Sequence, residues 1–283
     1  MPDAKAHVID NPWQALRQFT DARIALGRTG ISLPTHVQLD FQLAHARARD
    51  AVHQALDTAA LAAGINRLMR DAGVTHADCL QLASAATSRS EYLQRPDLGR
   101  QLNVASDTLL LDLPQERGVA MRCDLAIVVA DGLSALAIQQ NTLPFLTALL
   151  PAVLKENWSI APVCVVSQGR VAVGDVIGEL LGAKMVVVLI GERPGLSSPD
   201  SMGIYMTWAP KRGTTDERRN CLSNIRPAGL PPDAAALKLW HLLKQGFLRQ
   251  LTGVQLKDDT AHQDEKLTTP DRNHNGNFLL GPG

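Results

Sequence analysis

Residues 185–190 are six apolar positions in a row, most of them Val, Leu or Ile. A strand apolar on both faces needs cover on both, the condition of a parallel sheet between helices. Residues 125–130 and 163–167 are two further apolar runs of strand length. The segment joining them is long enough for a crossover and carries two helical stretches, 135–140 and 144–155, with Ser134 as a cap for the first. Residues 175–181 place Val176, Ile177, Leu180 and Leu181 on one helix face, and Gly182 stops that helix. Three strands in βαβ order follow. Residues 204–208 alternate more and include aromatics, which predicts an edge strand. Residues 220–225 read as a polar loop with a short apolar interruption, and 233–251 as a last helix opened by Pro231 and Pro232.

The first third is helical in pattern. Asn11 and Pro12 start a helix whose face (Trp13, Leu16, Phe19, Thr20, Ile24) continues to Gly27. Thr35 caps a second helix to about Asp57, with Val37, Phe41, Ala44, Ala48, Ala51, Val52 and Ala55 inward. Its other face carries His45, Arg47, Arg49, Asp50 and His53, either a solvated face or a contact with a partner chain. Residues 58–82 are alanine-rich and helical. Residues 88–100 form a polar connector, because Pro96 disfavours helix at Arg95. Residues 102–116 give one more helix. The expected fold is α/β: a Rossmann-like, mostly parallel sheet flanked by helices, with a helical N-terminal part. Residues 1–100 are that part and its connector, 101–256 the Rossmann-like domain, and 257–283 a mobile tail rich in Asp, Asn, Thr and Gly.

Composition narrows the chemistry. Lys+Arg and Asp+Glu both number 28 in 283 residues, so nothing in the total calls for nucleic acid or an anionic membrane. Cys79, Cys123, Cys164 and Cys221 are far apart, with no CxxC pair, which suits a reducing cytosol rather than a disulfide framework. The first residues have no secretory pattern, and no apolar run approaches the roughly 20 residues of a membrane helix. There is no G-x-G-x-x-G, P-loop, G-x-S-x-G or H-E-x-x-H motif, and no clustered metal-ligand set. The run 191–195 (GERPG) follows a buried strand at its carboxyl end. It is either a ligand-binding loop or a tight turn with a surface ion pair. A sheet without a catalytic constellation points to a chain that helps hold a cofactor or a partner.

Seven stretches occur in one order: GRTG and LPT (27–35), FQLAHARARDAVH (41–53), SRSEYLQRPDLGR (88–100), DLAIVVADGLSALA (124–137), QGRVAVGDVIGELLGAK (168–184), GERPGLSSPDSMG (191–203) and RNCLSNIR (219–226). Together they resemble the small subunit of adenosylcobalamin-dependent ethanolamine ammonia-lyase. The resemblance implies a complex that converts ethanolamine to acetaldehyde and ammonia by radical chemistry. Catalytic residues would belong to a large TIM-barrel subunit and none to this chain, with cobalamin lying between the two. It implies Val171, Glu192 and Cys221 as cofactor contacts. Asp131 and Arg193 are further candidates only by their place on the same sheet edge, Arg193 being equally open to internal pairing with a carboxylate. It implies that the cofactor keeps its own base on cobalt, and the D-x-H-x-x-G motif of base-replacing proteins is absent. It implies a cytosolic enzyme of a family associated with bacterial microcompartments. The helix bearing His45–His53 is the expected contact with the large subunit. Two rival readings are a purely structural subunit that solubilises the large chain, and a stand-alone nucleotide-binding enzyme, which the missing glycine fingerprint disfavours.

Overall fold

A computed structural model describes residues 11–20, 22–74, 78–117 (side chains to 113) and 122–257. The expected tail therefore lies outside the described residues, apart from Lys257. Pro12–Phe19 is a 3-10 segment capped by Asn11, whose side chain accepts from the Trp13 amide. The elements after it are α1 (Thr35–His53), α2 (Thr58–Asp71), β1 (Leu80–Ala83), α3 (Arg89–Gln94), α4 (Val104–Arg117), β2 (Cys123–Ala130) and α5 (Ala135–Lys155). Then come β3 (Cys164–Ser167), α6 (Val173–Leu180), β4 (Ala183–Gly191), β5 (Met202–Trp208), β6 (Arg219–Ile225) and α7 (Pro232–Arg249).

The strands form one sheet in the order β1-β3-β2-β4-β5-β6. The ladders from β1 to β4 are parallel, whereas β4/β5 and β5/β6 are antiparallel. The sheet is thus mixed rather than mostly parallel. The connection from β4 to β5 spans only residues 192–201, too short for a parallel crossover of about a dozen residues or more.

Burial follows the alternation of the strands. Leu125, Ile127 and Val129 of β2 join Met185, Val187 and Leu189 of β4 in a core shared with α2, α5 and α7. Ala126, Val128 and Ala130 join Val186, Val188 and Ile190 in a second core under α4 and α6. Each fully buried Val, Leu or Ile contributes about 1.5–3 kcal/mol relative to exposure. The continuous apolar strands were therefore covered on both faces, as the pattern predicts.

Several elements differ from expectation. The helix read from Pro12 to Gly27 is a 3-10 segment that ends at Phe19, and the connector 88–100 holds a short helix, α3, that buries Tyr92. The helix read over 58–82 stops at Asp71, and β1 adds a short edge strand against β3. The two stretches at 135–140 and 144–155 are one helix with Pro144 and Pro151 inside it. The buried stripe of Ile138, Phe145, Leu146, Leu149 and Val153 outweighs the lost proline hydrogen bonds. Residues 220–225 belong to a strand, so β6 and not β5 is the edge on that side. Finally, α1 buries only Val37, Ala48 and Ala51, and Phe41, expected inward, is exposed.

Candidate functional site

The parallel strands all end at one edge, where Ser84, Gln168, Asp131 and Glu192 follow β1, β3, β2 and β4. Ligands of open α/β sheets bind at that edge, where neighbouring strands send their connections to opposite faces. β2 and β3 are such a pair: α5 packs on one face and α6 on the other. The protein fills this crevice itself. Tyr92 of α3 is fully buried, and its hydroxyl donates to the Gly169 carbonyl at 3.1 Å. The guanidiniums of Arg89 and Arg170 lie 4.8 and 4.3 Å from the Tyr92 ring centroid. Asp131 accepts from the Gly169 amide at 3.1 Å and from Arg89 Nη1 at 3.3 Å. Burial pushes the Asp131 carboxyl above the usual carboxylate range, against the opposing pull of Arg89. Asp131 is thus an internal latch between β2 and β3, not an exposed contact.

Close backbone packing fixes the neighbouring edge. Gly132 has φ +56°, and a Cβ there would stand 2.2 Å from the Gly191 carbonyl oxygen. A Cβ on Gly191 would stand 2.1 Å from the Ser134 carbonyl oxygen. The turn after β2 therefore seats directly on the end of β4, and Glu192 leaves the sheet at a fixed place.

Open space begins beside the Tyr92 plug. A cleft of about 410 Å³ is lined by Arg170, Val171, Glu192, Arg193 and Tyr205, among others. A second, of about 890 Å³, shares Arg170, Val171 and Tyr205 and extends to Arg100, Asp216 and Arg219. Val171 borders both, and Glu192 borders the smaller. Glu192 Oε2 accepts from Ser201 Oγ at 2.5 Å and from the Asn224 amide at 3.1 Å. Its Oε1 takes no protein hydrogen bond among the described residues. The alternative of a Glu192–Arg193 ion pair is not what forms: among the described residues Arg193 is exposed and pairs with no carboxylate, so it is not held internally either.

Cys221 stands differently from expectation. It lies within β6, directly across the ladder from Tyr205, rather than in a loop beyond a strand. It does not line either cleft, but Tyr205 does. Its thiol is raised above the ordinary range by desolvation, with the Glu192 charge adding and Tyr205 opposing. A raised thiol stays protonated near neutrality, which suits packing or hydrogen bonding and not thiolate chemistry. Burial likewise raises the Tyr205 phenol, followed by the nearby Cys221 and Glu192. The three side chains therefore form one electrostatic neighbourhood.

Beneath the larger cleft, Arg219 of β6 pairs with Asp175 of α6 and with Asp216 at 2.6 Å. Tyr92, Arg89, Arg170 and Tyr205 were not singled out by sequence reasoning, although the first three lie inside the ordered motifs. No group of three or more His, Cys, Asp or Glu residues able to hold a metal ion occurs among the described residues. No helix among them is long and apolar enough to cross a membrane.

A mixed six-stranded sheet covered by helices on both faces, with an arginine-lined cleft beside it, defines an open-sheet α/β protein. The chain belongs to the ethanolamine ammonia-lyase light-chain family: the family described as "Ethanolamine ammonia-lyase light chain (EutC)" matches residues 10–257. An ethanolamine ammonia-lyase small subunit of Pseudomonas aeruginosa (strain UCBPP-PA14) is 56% identical over 280 residues, 99% of this chain and 97% of that one. One of Pseudomonas putida (strain GB-1) is 55% identical over 281 residues, 99% of this chain and all of that one. The resemblance read from the ordered motifs is borne out.

Proposed function

We propose that this chain is the small subunit of an ethanolamine ammonia-lyase, which deaminates ethanolamine to acetaldehyde and ammonia. In this reading it helps hold adenosylcobalamin against a larger, catalytic subunit. The relatives' names supply the enzyme and the size of the partner. The cofactor assignment rests on one observation: Val171 and Glu192 border the same open cleft at the strand ends.

The residues present fit a corrinoid. The two clefts adjoin through Arg170, Val171 and Tyr205, which gives an extended surface rather than a closed pocket. Glu192 keeps Oε1 available as an acceptor, which matches the side-chain amides of a corrin ring. Val171 offers an apolar side chain, and Cys221 reaches the surface across from Tyr205. When bound, adenosylcobalamin would supply the radical chemistry of the reaction. The residues of this chain bind and orient it and contribute no acid, base or nucleophile. Strands β3, β2 and β4 within residues 101–256, joined by β1 (Leu80–Ala83) from the N-terminal part, act as a Rossmann-like platform, and the rest of residues 1–100 provides the Tyr92 plug and the surface facing the partner.

Glu192→Ala is expected to weaken adenosylcobalamin binding to the assembled enzyme about tenfold, the size of one lost hydrogen bond to a charged group. Equilibrium dialysis or the visible spectrum of the bound corrinoid reads this directly. An unchanged affinity would remove Glu192 from the contact set.

A further inference from the structure

The chain is neutral in total, but its clefts are not. They are lined by Arg100, Arg170, Arg193, Arg212 and Arg219 against Glu192, Asp216 and Glu217. Much of this charge is already used. Arg212 pairs with Asp107 at 2.6 Å, and Arg219 pairs with Asp175 and Asp216. Glu192 is bonded by Ser201 and Asn224, and Glu217 accepts from the Thr215 hydroxyl. Arg100, Arg170 and Arg193 are left without a carboxylate among the described residues.

Arg170 is the informative one. It is half-buried, lies between the two clefts and lines both. Its single side-chain hydrogen bond among the described residues is a long one, from Nη2 to the Tyr92 carbonyl at 3.4 Å. Its Nε is buried with no partner. An unpaired, partly desolvated guanidinium is costly until an anion meets it. Its position is also preset, by the Tyr92 ring at 4.3 Å and by the Arg170 amide donating to the Gly99 carbonyl at 2.7 Å. A fixed, planar donor fork of this kind matches a phosphate.

We infer that Arg170, with Arg100 at the rim of the larger cleft, forms an anion subsite that takes the phosphodiester of the cofactor's nucleotide tail. This rests on the cobalamin reading above. A phosphodiester is a permanent monoanion near neutrality, the charge that the unpaired arginine lacks.

The test compares two corrinoids on the complex of the full chain with its large subunit. Hydroxocobalamin carries the phosphodiester tail, and diaquacobinamide is the same corrin without it. Arg170→Gln and Arg100→Gln are each expected to weaken hydroxocobalamin about tenfold, or ~1.4 kcal/mol, while changing diaquacobinamide less than about twofold. The loss should shrink as salt rises, since a charge contact is screened. Arg100 is exposed and has no side-chain partner among the described residues, so its replacement keeps the test free of folding effects. Equal weakening of both corrinoids, or no weakening of either, overturns the subsite and leaves the cofactor reading standing. If the unaltered complex binds neither corrinoid, the cofactor reading itself falls and the subsite falls with it.

Discussion

Arg219→Met is expected to lower the unfolding free energy by about 3–5 kcal/mol, the cost of leaving one partner of a buried ion pair alone. Both side chains of the Arg219–Asp175 pair are only 3% exposed. The pair ties the start of α6 to β6 across the floor of the larger cleft. Arg219 also donates to the Thr214 carbonyl at 2.8 Å, which anchors the loop before β6. Methionine keeps much of the apolar stem but removes every donor, so Asp175 must either stay charged and unpaired or take a proton. A urea titration of the chain reads the change as a lower midpoint at constant slope. The double variant Asp175→Asn/Arg219→Met should recover part of the loss, because the stranded charge is gone. A change below about 1 kcal/mol in the single variant would mean that the pair is no more than a surface ion pair in effect.

Leu39→Asp/Leu43→Asp is expected to disrupt assembly with the large subunit while leaving the fold of this chain intact. The 3-10 segment 12–19 buries none of its residues. Trp13, Phe19 and Ile31 are 66%, 78% and 106% exposed, and Leu39, Phe41 and Leu43 of α1 are also open. Large apolar surface of this kind marks an interaction site. A 19-residue helix with three buried residues also draws little stability from this chain alone. We propose that residues 12–20 and 22–43 pack against the large subunit, extending the contact expected for the His45–His53 face. Leu39 and Leu43 are four apart on one helix stripe, so two charges there meet the same region of the partner. The loss of one interface anchor is worth about 2 kcal/mol or more, so the dissociation constant should rise at least about 30-fold. Co-purification and analytical ultracentrifugation of mixed subunits read this, with the far-UV spectrum of the isolated chain as the control. Full assembly of the double variant would move the interface elsewhere.

What the chain revealed of its fold followed from burial. β2, β3 and β4 are covered on both faces, so their sequences are continuous apolar runs that pattern alone identifies. β6 was missed because one of its faces is open: Cys221, Ser223 and Asn224 are exposed, and only Arg219 and Ile225 are buried. β1 was missed because four residues after an alanine-rich helix carry too little pattern to show a change of period. The site divides in the same way. Val171 and Glu192 follow strands, and the strand-end rule alone brings them to one edge. The Tyr92 plug and the unpaired Arg170 depend on contacts across nearly eighty residues, Tyr92 to Gly169 being 77 apart, and no local spacing encodes them. The division of the sheet into parallel and antiparallel halves turned on the short 192–201 loop, whose length says more about topology than its residues do.

Acetaldehyde production from ethanolamine in the presence of adenosylcobalamin, measured for this chain alone, for a cognate large subunit alone and for the two mixed, decides whether the chain is an obligatory part of the lyase. A cofactor-holding small subunit gives product from the mixture only. Equal product from the large subunit alone would reduce this chain to a structural accessory and would leave Val171, Glu192, Cys221 and Arg170 without a role in the reaction.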